Sequence, residues 1–192
     1  MILAATGGSG TFSDSGQLLG NHFTKTVALG DLDGDGDLDL IEGNDNFQAN
    51  RVLLNDGSGT FTSNGQALGG DLTISVVLGD LDGDGDLDFV EGIRDFPTRV
   101  WLNDGSGFFT DSGQTLGDAA YSVALGDIDG DGDLDFVQGN EEYTLVWLND
   151  GAGTFSDSGQ TLGDHETLSV ALGDLDGDGD LDLVQGNSFD GS

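Results

Sequence analysis

The sequence has no cysteine, a single proline and only four lysine and arginine residues among 192. Without cysteine, disulfides, thiolate metal sites and cysteine nucleophiles are excluded. A phosphate backbone needs Lys or Arg to displace its counterions, so nucleic acid is not an expected partner. No apolar run approaches the length of a membrane span, so no membrane insertion is expected. The four basic residues form no run: they are Lys25, Arg51, Arg94 and Arg99.

Acidic residues and glycine are abundant instead. The chain has 37 Asp and Glu, a formal net charge of -33 and 35 glycines, and only 35% of its residues are hydrophobic. High charge with low hydrophobicity is typical of disordered chains. Against disorder, the Val, Leu, Phe and Trp residues come in short, regularly placed runs bounded by Gly, Asn and Asp, as strands are bounded by turns. The pattern predicts a strand-rich fold.

One nine-residue motif, Asp-Leu(or Ile)-Asp-Gly-Asp-Gly-Asp-Leu-Asp, occurs four times, starting at Asp31, Asp80, Asp127 and Asp174. Two carboxylates about 4 Å apart repel by about 1 kcal/mol even in bulk water, and each motif holds five. Hard oxygen ligands at alternate positions are those that Ca²⁺ takes, and the glycines between them allow a tight turn. The motif therefore predicts four calcium sites, which would reduce the formal charge to about -25 when filled.

An EF-hand is an alternative interpretation of the motif, because Glu42 and Glu91 fall where an EF-hand has its bidentate glutamate. Gln138 and Gln185 take that place in the other two motifs, and a neutral amide cannot bind Ca²⁺ through two oxygens. An EF-hand also needs flanking helices, whereas the residues after each motif alternate as in a strand. A loop between two strands is favoured.

The motifs lie 49, 47 and 47 residues apart, so the whole chain consists of repeats. One repeat predicts four short strands, at 75–79, 87–91, 99–103 and 108–110, and Asp104-Gly105 between the last two is a strong hairpin signal. This layout predicts an all-β fold, a β-propeller of four-stranded antiparallel blades. The four repeats of about 48 residues would include one blade split between the N- and C-termini.

The chain is predicted to be a single repeat domain, 1–192, in which the two ends complete one another. A split blade would remove exposed sheet edges, although Ala4 and Ala5 would bury less apolar area at this seam than Leu or Trp does elsewhere. The predicted limits are 1–18 for the C-terminal half of the closing blade, 19–66, 67–114 and 115–160 for complete blades, and 161–192 for the N-terminal half of the closing blade.

The motif, its strand context and the Asn-Asp-Gly-Ser-Gly-Thr-Phe hairpin resemble the FG-GAP or VCBS repeat family, the integrin-alpha type of calcium-binding β-propeller. The resemblance implies calcium in the hairpin between the first and second strands of each blade. It implies side-chain ligation by Asp31, Asp33, Asp35 and Asp39, by Asp80, Asp82, Asp84 and Asp88, by Asp127, Asp129, Asp131 and Asp135, and by Asp174, Asp176, Asp178 and Asp182. It implies main-chain ligation by Asp37, Asp86, Asp133 and Asp180.

The predicted loop between the second and third strands varies in sequence but always holds an aromatic residue. These residues are Phe47, Phe96, Tyr143 and Phe189. Each either packs over its own blade or lines a ligand face with neighbours such as Arg99, because binding loops of propellers cluster away from the metal hairpins and aromatic rings stack on sugars. Trp101 and Trp147, at strand spacing, are predicted to pack in the core or between blades.

Signals for catalysis are weak. His22 and His165 precede their motifs by nine residues without a recognisable Ser or Cys partner, so no enzyme is expected. We expect an extracellular or cell-surface adhesion or binding module for a carbohydrate or protein ligand. The first residues do not form a signal peptide, so a mature or excised chain is expected. The alternative is a self-assembling structural protein, amplified or designed, whose split-blade termini exchange between chains in an eight-bladed dimer or a filament.

Overall fold

The fold is all-β, as the sequence predicts. The computed structural model describes residues 3–8 and 10–188, and these residues form seventeen β-strands and no helix. The described part of the chain thus has no helix long and apolar enough to cross a membrane. The strands form five separate sheets, and every strand pairing is antiparallel.

Three of the sheets are complete blades in which successive strands pair in chain order. The first blade has β3 (Thr24–Gly30), β4 (Asp39–Asn44), β5 (Arg51–Asn55) and β6 (Phe61–Ser63). The second blade has β7 (Leu72–Gly79), β8 (Asp88–Arg94), β9 (Pro97–Asn103), β10 (Phe109–Asp111) and the short β11 (Leu116–Ala119), which also pairs with β9. The third blade has β12 (Ser122–Gly126), β13 (Asp135–Gly139), β14 (Thr144–Asn149) and β15 (Phe155–Leu162). The four strands predicted from one repeat are confirmed with small shifts of their ends.

The other two sheets are two-stranded and correspond to the halves of the predicted split blade. β1 (Leu3–Gly8) pairs with β2 (Thr11–Leu18), and β16 (Thr167–Gly173) pairs with β17 (Asp182–Asn187). Within the described residues the two halves do not pair with each other, and the split blade remains a prediction. The β1 sequence, Leu-Ala-Ala-Thr-Gly-Gly, offers little apolar area to hold such a seam.

The hydrophobic core lies between neighbouring blades rather than within one of them. Leu32 of the first blade is buried among Phe89, Trp101 and Phe109 of the second. The Phe89 ring stacks on Trp101 with centroids 5.8 Å apart and meets Phe109 edge to face at 5.0 Å. The next junction repeats this arrangement with Leu81, Phe136, Trp147 and Phe155. The prediction that both tryptophans pack inside is confirmed, since they are 8% and 9% exposed.

A glycine precedes each Asp motif, and at the first three of these glycines the next sheet approaches closely. A Cβ added at Gly30 would lie 2.6 Å from the Leu87 side chain, and one at Gly79 would lie 2.6 Å from Leu134. Real Cβ contacts are never this short, so a side chain at these positions would force neighbouring blades apart.

A glutamine after the fourth strand links each blade to the next. The Gln66 side chain donates to the Phe109 carbonyl and accepts from the Phe109 N–H, both at 3.0 Å. Gln17 makes the same pair of bonds with Phe61. Gln114 accepts from the Phe155 N–H at 2.8 Å and donates to the Gly153 carbonyl. This glutamine clamp joins the fourth strand of each of the three complete blades to the preceding sheet.

Candidate metal centres

Each Asp motif forms the hairpin loop between the first and second strands of its sheet. Gly34 and Gly36 adopt left-handed backbone angles, with φ of 75° and 92°, which only glycine takes without strain. Both carboxylate oxygens of Asp31 cap the turn, accepting from the N–H groups of Gly34 at 2.9 Å and Gly36 at 3.0 Å. The loop therefore folds around its first aspartate.

Three carboxylates of each motif converge. In the first loop, one oxygen from each of Asp31, Asp33 and Asp39 lies within 4.8 Å of the others. The equivalent groups are Asp80, Asp82 and Asp88; Asp127, Asp129 and Asp135; and Asp174, Asp176 and Asp182. A set of hard carboxylate oxygens suits Ca²⁺ or another hard divalent cation, and this donor set contains no nitrogen or sulfur that would favour zinc.

The aspartate at the ninth position of the motif has a second role in the fold. Asp39 is fully buried, and its two oxygens accept hydrogen bonds from the Leu32 N–H at 2.9 Å and the Asn55 N–H at 2.7 Å. Asp88 makes the same two bonds in the second blade, to the N–H groups of Leu81 and Asn103. These two bonds lower the pKa of Asp88, but its burial has the larger effect and raises the pKa to about 6. These aspartates thus attach the metal loop to the third strand.

The electrostatics of the loops favour a bound cation. Burial, followed by the charges of Asp39 and Asp35, raises the pKa of Asp33 above its usual value. Burial and the charge of Asp84 do the same for Asp82. A raised carboxyl pKa means that the ionised form is disfavoured where it stands, and a divalent cation at the convergent oxygens would reverse this cost.

The other two aspartates of each motif lie outside the convergent group. Asp35 accepts the Asp37 N–H at 2.9 Å and so closes the next turn of the loop. The Asp37 carboxylate lies against Gly57 in the hairpin between the third and fourth strands, where an added Cβ would be 2.5 Å from Oδ2. The ligand roles assigned to Asp35, Asp37 and their equivalents in the other loops remain predictions.

The position of the EF-hand glutamate is inside the sheet. Glu91 is fully buried three residues along β8 from Asp88, about 10 Å at the rise of a strand. Its carboxylate accepts hydrogen bonds from Thr73 at 2.6 Å, Asn50 at 2.7 Å and the Trp101 indole at 2.8 Å. The EF-hand alternative therefore fails, because this side chain is committed to a polar network between strands.

The aromatic loops lie at the opposite end of the blades. Phe47 is 67% exposed and Phe96 is 40% exposed, and the two interpretations of these rings, packing over their own blade or lining a ligand face, remain predictions. Asn46 and Phe47 both have left-handed backbone angles, with φ of 60° and 58°, and Asp95 before Phe96 has φ of 68°. Left-handed phenylalanine is strained, and such strain concentrates at functional sites. Phe189 lies outside the described residues.

The remaining predicted ligand residues also lie at this end. Tyr143 is half-buried, and its hydroxyl donates to Asp118 at 3.4 Å. Arg99 pairs with Asp71 at 2.7 Å. Lys25 pairs with Asp45 at 3.3 Å. Lys25, Arg51 and Arg99 lie within the first three residues of strands that start on this side, and Arg94 ends a strand there. The basic groups therefore lie away from the Asp motifs.

Two cavities open among these loops. One of about 260 Å³ is lined by Asp118, Ala119, Asn140, Glu141, Glu142 and Tyr143. The other, of about 420 Å³, is lined by His22, Gln48, Ala49, Arg51, Ser63, Gly65, Gln66 and Ala67. The sequence did not indicate Asp118, because it lies 25 residues before Tyr143, in β11 of the second blade. The first cavity combines carboxylate, amide and phenol hydroxyl groups, and the second combines imidazole, guanidinium, amide and hydroxyl groups.

The comparisons with known proteins agree with the fold. The family described as FG-GAP-like repeat matches residues 31–91, 94–138 and 127–184. A solved lectin from Agrocybe aegerita, whose title states specific recognition of non-reducing terminal N-acetylglucosamine, is 26% identical with a TM-score of 0.50, and the match covers 81% of this chain and 44% of the lectin. The V. cholerae biofilm matrix protein Bap1 is 20% identical with a TM-score of 0.45, covering 86% of this chain and 28% of Bap1.

The chain thus spans less than half the length of either solved protein. A search of curated proteins gives no significant match.

Proposed function

The chain belongs to the FG-GAP-like repeat family, and from that premise we propose that it is a calcium-stabilised propeller module that binds carbohydrate through the loops opposite its Asp motifs. The observation that carries the proposal is the separation of two kinds of site. Convergent carboxylates occupy one end of each sheet that carries an Asp motif, and exposed aromatic rings on strained loops occupy the other end of the first two blades. The first end supports the fold, and the second is free to bind.

The calcium part of the proposal rests on the donor set. Asp31, Asp33 and Asp39 and their equivalents would hold the ion, and a bound ion would supply positive charge that draws the two strands of the hairpin together. Sites of this kind with micromolar to millimolar affinity fill more readily outside cells. We therefore propose an extracellular or cell-surface location.

The carbohydrate part rests on the loop chemistry and on the likeness to the Agrocybe aegerita lectin. Phe47 and Phe96 offer flat apolar faces for the C–H side of a sugar ring. Asp118, Asn140 and Glu141 line a cavity beside Tyr143 and supply acceptors and donors for sugar hydroxyls. A protein ligand on the same loops is the other form of this proposal. No nucleophile and base pair accompanies these groups among the described residues, so we propose binding without catalysis.

The test is a glycan array in calcium, followed by calorimetry with an N-acetylglucosamine-terminated oligosaccharide. We expect binding in the wild-type protein and at least a tenfold loss in Phe96→Ala, with Phe108→Thr as the control. Phe108 is exposed at the metal end, and the equivalent residues Thr60 and Thr154 show that threonine fits there. Absence of binding to any glycan, or equal binding in both variants, would contradict the carbohydrate proposal.

A further inference from the structure

Successive blades meet through one repeated junction, and its two halves are also present, uncovered, on the outermost sheets. We call Val27, Leu29 and Leu38 the leading face, because their equivalents in later blades face the preceding blade. We call Gly173, Leu175 and Val184 the trailing face, because their equivalents in earlier blades face the following blade. Both names refer to these six residues only.

The leading face is apolar and exposed. Val27 is 52% exposed, whereas Val76, Val123 and Val170, which take the same place in the next three sheets, are 7%, 4% and 8% exposed. Leu29 and Leu38 are more than half exposed as well. Their equivalents in the second and third blades pack into the cores between blades.

The trailing face is the complementary surface. Leu175 is 69% exposed, whereas its equivalents Leu32 and Leu81 are each 1% exposed because the next blade covers them. A Cβ at Gly173 would meet nothing within 4 Å. At Gly126, its equivalent, a Cβ would lie 2.5 Å from Leu181 of the following sheet. Val184 is 51% exposed, although Val137 in the same place is buried.

The glutamine clamp gives an independent observation. Gln17, Gln66 and Gln114 each hold the fourth strand of the following sheet, at Phe61, Phe109 and Phe155. Gln160 is the fourth such glutamine, and within the described residues its side chain makes no bond of this kind. Phe12, which stands where those phenylalanines stand, is 86% exposed. Gln160 and Phe12 are therefore a glutamine and a target residue of the same kind as in the other clamps, but they are not bonded to each other within the described residues.

We propose that a second copy of this chain supplies the missing half of each junction. β1 and β2 of one copy would pair beside β16 and β17 of the other, bringing Phe12 to the partner's Gln160. The leading face would then cover the partner's trailing face, with Leu38 against Gly173. Two such head-to-tail junctions related by a twofold axis close into a ring without an open edge.

Two observations favour a second copy over closure within one chain. The described residues of one chain form the two halves as separate sheets, with Gly173 uncovered. The Agrocybe aegerita lectin is also much longer than the part that this chain matches: the match covers 44% of it, so two copies would account for about nine-tenths of that length. Blades like those of this chain therefore occur in a solved fold of about twice the matched length.

The test is the molar mass by light scattering, in millimolar calcium at physiological ionic strength. We expect twice the 19.7 kDa of one chain. A monomeric mass would overturn the proposal, and so would a ladder of masses that rises with concentration, since an open filament is not a closed pair. Neither result depends on the ligand, so loss of glycan binding leaves this test unaffected.

Two variants and their mixture show whether these faces form the pair. Gly173→Leu fills the trailing face without a clash in its own chain, and Leu38→Asp places a charge on the leading face. Each variant alone should fall to half the wild-type mass, with Phe108→Thr unchanged. An equimolar mixture should form a heterodimer through one intact junction, between the leading face of the Gly173→Leu copy and the trailing face of the Leu38→Asp copy, and this heterodimer should be weaker than the wild-type pair because its second junction carries both substitutions. Circular dichroism melts confirm that each variant is folded, and a folded variant that stays dimeric alone would overturn the proposal.

Discussion

The side-chain amide of Asn103 donates a hydrogen bond of 2.9 Å to the main-chain carbonyl of Leu32, 71 residues earlier, inside the metal loop of the preceding blade. The same amide reaches the Leu87 carbonyl in its own metal loop at 3.2 Å. One asparagine therefore bridges two metal loops. Asn149 repeats the bridge between Leu81 and Leu134.

Asn103→Ala should destabilise the protein by about 1–3 kcal/mol, because it leaves two buried loop carbonyls without their donor. The matched control is Asn55→Ala, since the Asn55 amide reaches only the Leu38 carbonyl in its own loop. The measurement is urea unfolding in saturating calcium. Equal losses in both variants would show that the bridge between blades adds nothing.

Removal of calcium should lower the melting temperature, because an ion that binds only the folded state stabilises it by about 2.7 kcal/mol per site at a hundredfold excess over Kd. Asp82→Asn should remove part of this gain, since Asp82 belongs to a convergent group. Asp86→Asn should remove less, because its side chain lies against Gly105 instead. Calorimetric melts with and without chelator decide, and melting curves that do not respond to chelator would contradict the metal centres.

Glu91 should make stability depend on pH. Burial raises its pKa above the usual 4.5, although Thr73, Trp101 and Asn50 donate to it. Its contribution to stability is therefore full below about pH 4.5 and is lost as pH rises through the folded-state pKa. Glu91→Gln should remove this decline. The free energy of unfolding of the variant, relative to that of the wild type, should therefore increase as pH rises.

The third blade provides the control for that experiment. Gln138 stands in the place of Glu91 and accepts from the Trp147 indole at 3.0 Å, so an amide fits this network. Gln138→Glu should introduce a decline with rising pH where none existed. Paired unfolding curves from pH 4 to 8, each referred to wild type, test both directions; parallel curves would show that Glu91 stays ionised throughout.

Phe47→Asn should raise stability by about 1 kcal/mol, because asparagine tolerates the left-handed backbone that Phe47 adopts. The same change should weaken glycan binding, because it removes an exposed ring from the ligand loops. Thermal melts and calorimetry on one preparation measure both effects. A variant that is more stable but binds glycan as well as the wild type would show that the strained backbone at Phe47 has no part in binding.

The fold can be predicted from the sequence at positions where the residue type allows few backbone conformations. The Asp motifs, the glycines before them and the Asp-Gly turns each permit few conformations, so strand order and blade layout are predictable. The convergence of Asp31, Asp33 and Asp39 follows from their alternate spacing and the turn between them. The position of Asp37 does not, because it depends on a hairpin twenty residues away.

The contacts between blades were harder to predict, although their signals recur in the sequence. Gly-Gln at or after the end of the fourth strand and Leu-Asn before the turn appear in successive repeats, yet a glutamine or asparagine has many possible partners. Only the spatial order of the blades shows that Gln66 meets Phe109 and that Asn103 meets Leu32. The roles of Glu42 and Glu91 were equally hidden, because they depend on neighbouring strands.

The separation of acidic loops from basic side chains makes the molecule electrically one-sided. Twenty of its 37 acidic residues lie in the Asp motifs at one end, and its four Lys and Arg residues lie toward the other end. Near an anionic surface such a molecule is turned by the field before contact, and this orientation falls away as salt screens it. The aromatic loops, which are the end proposed to bind, would then face such a surface first.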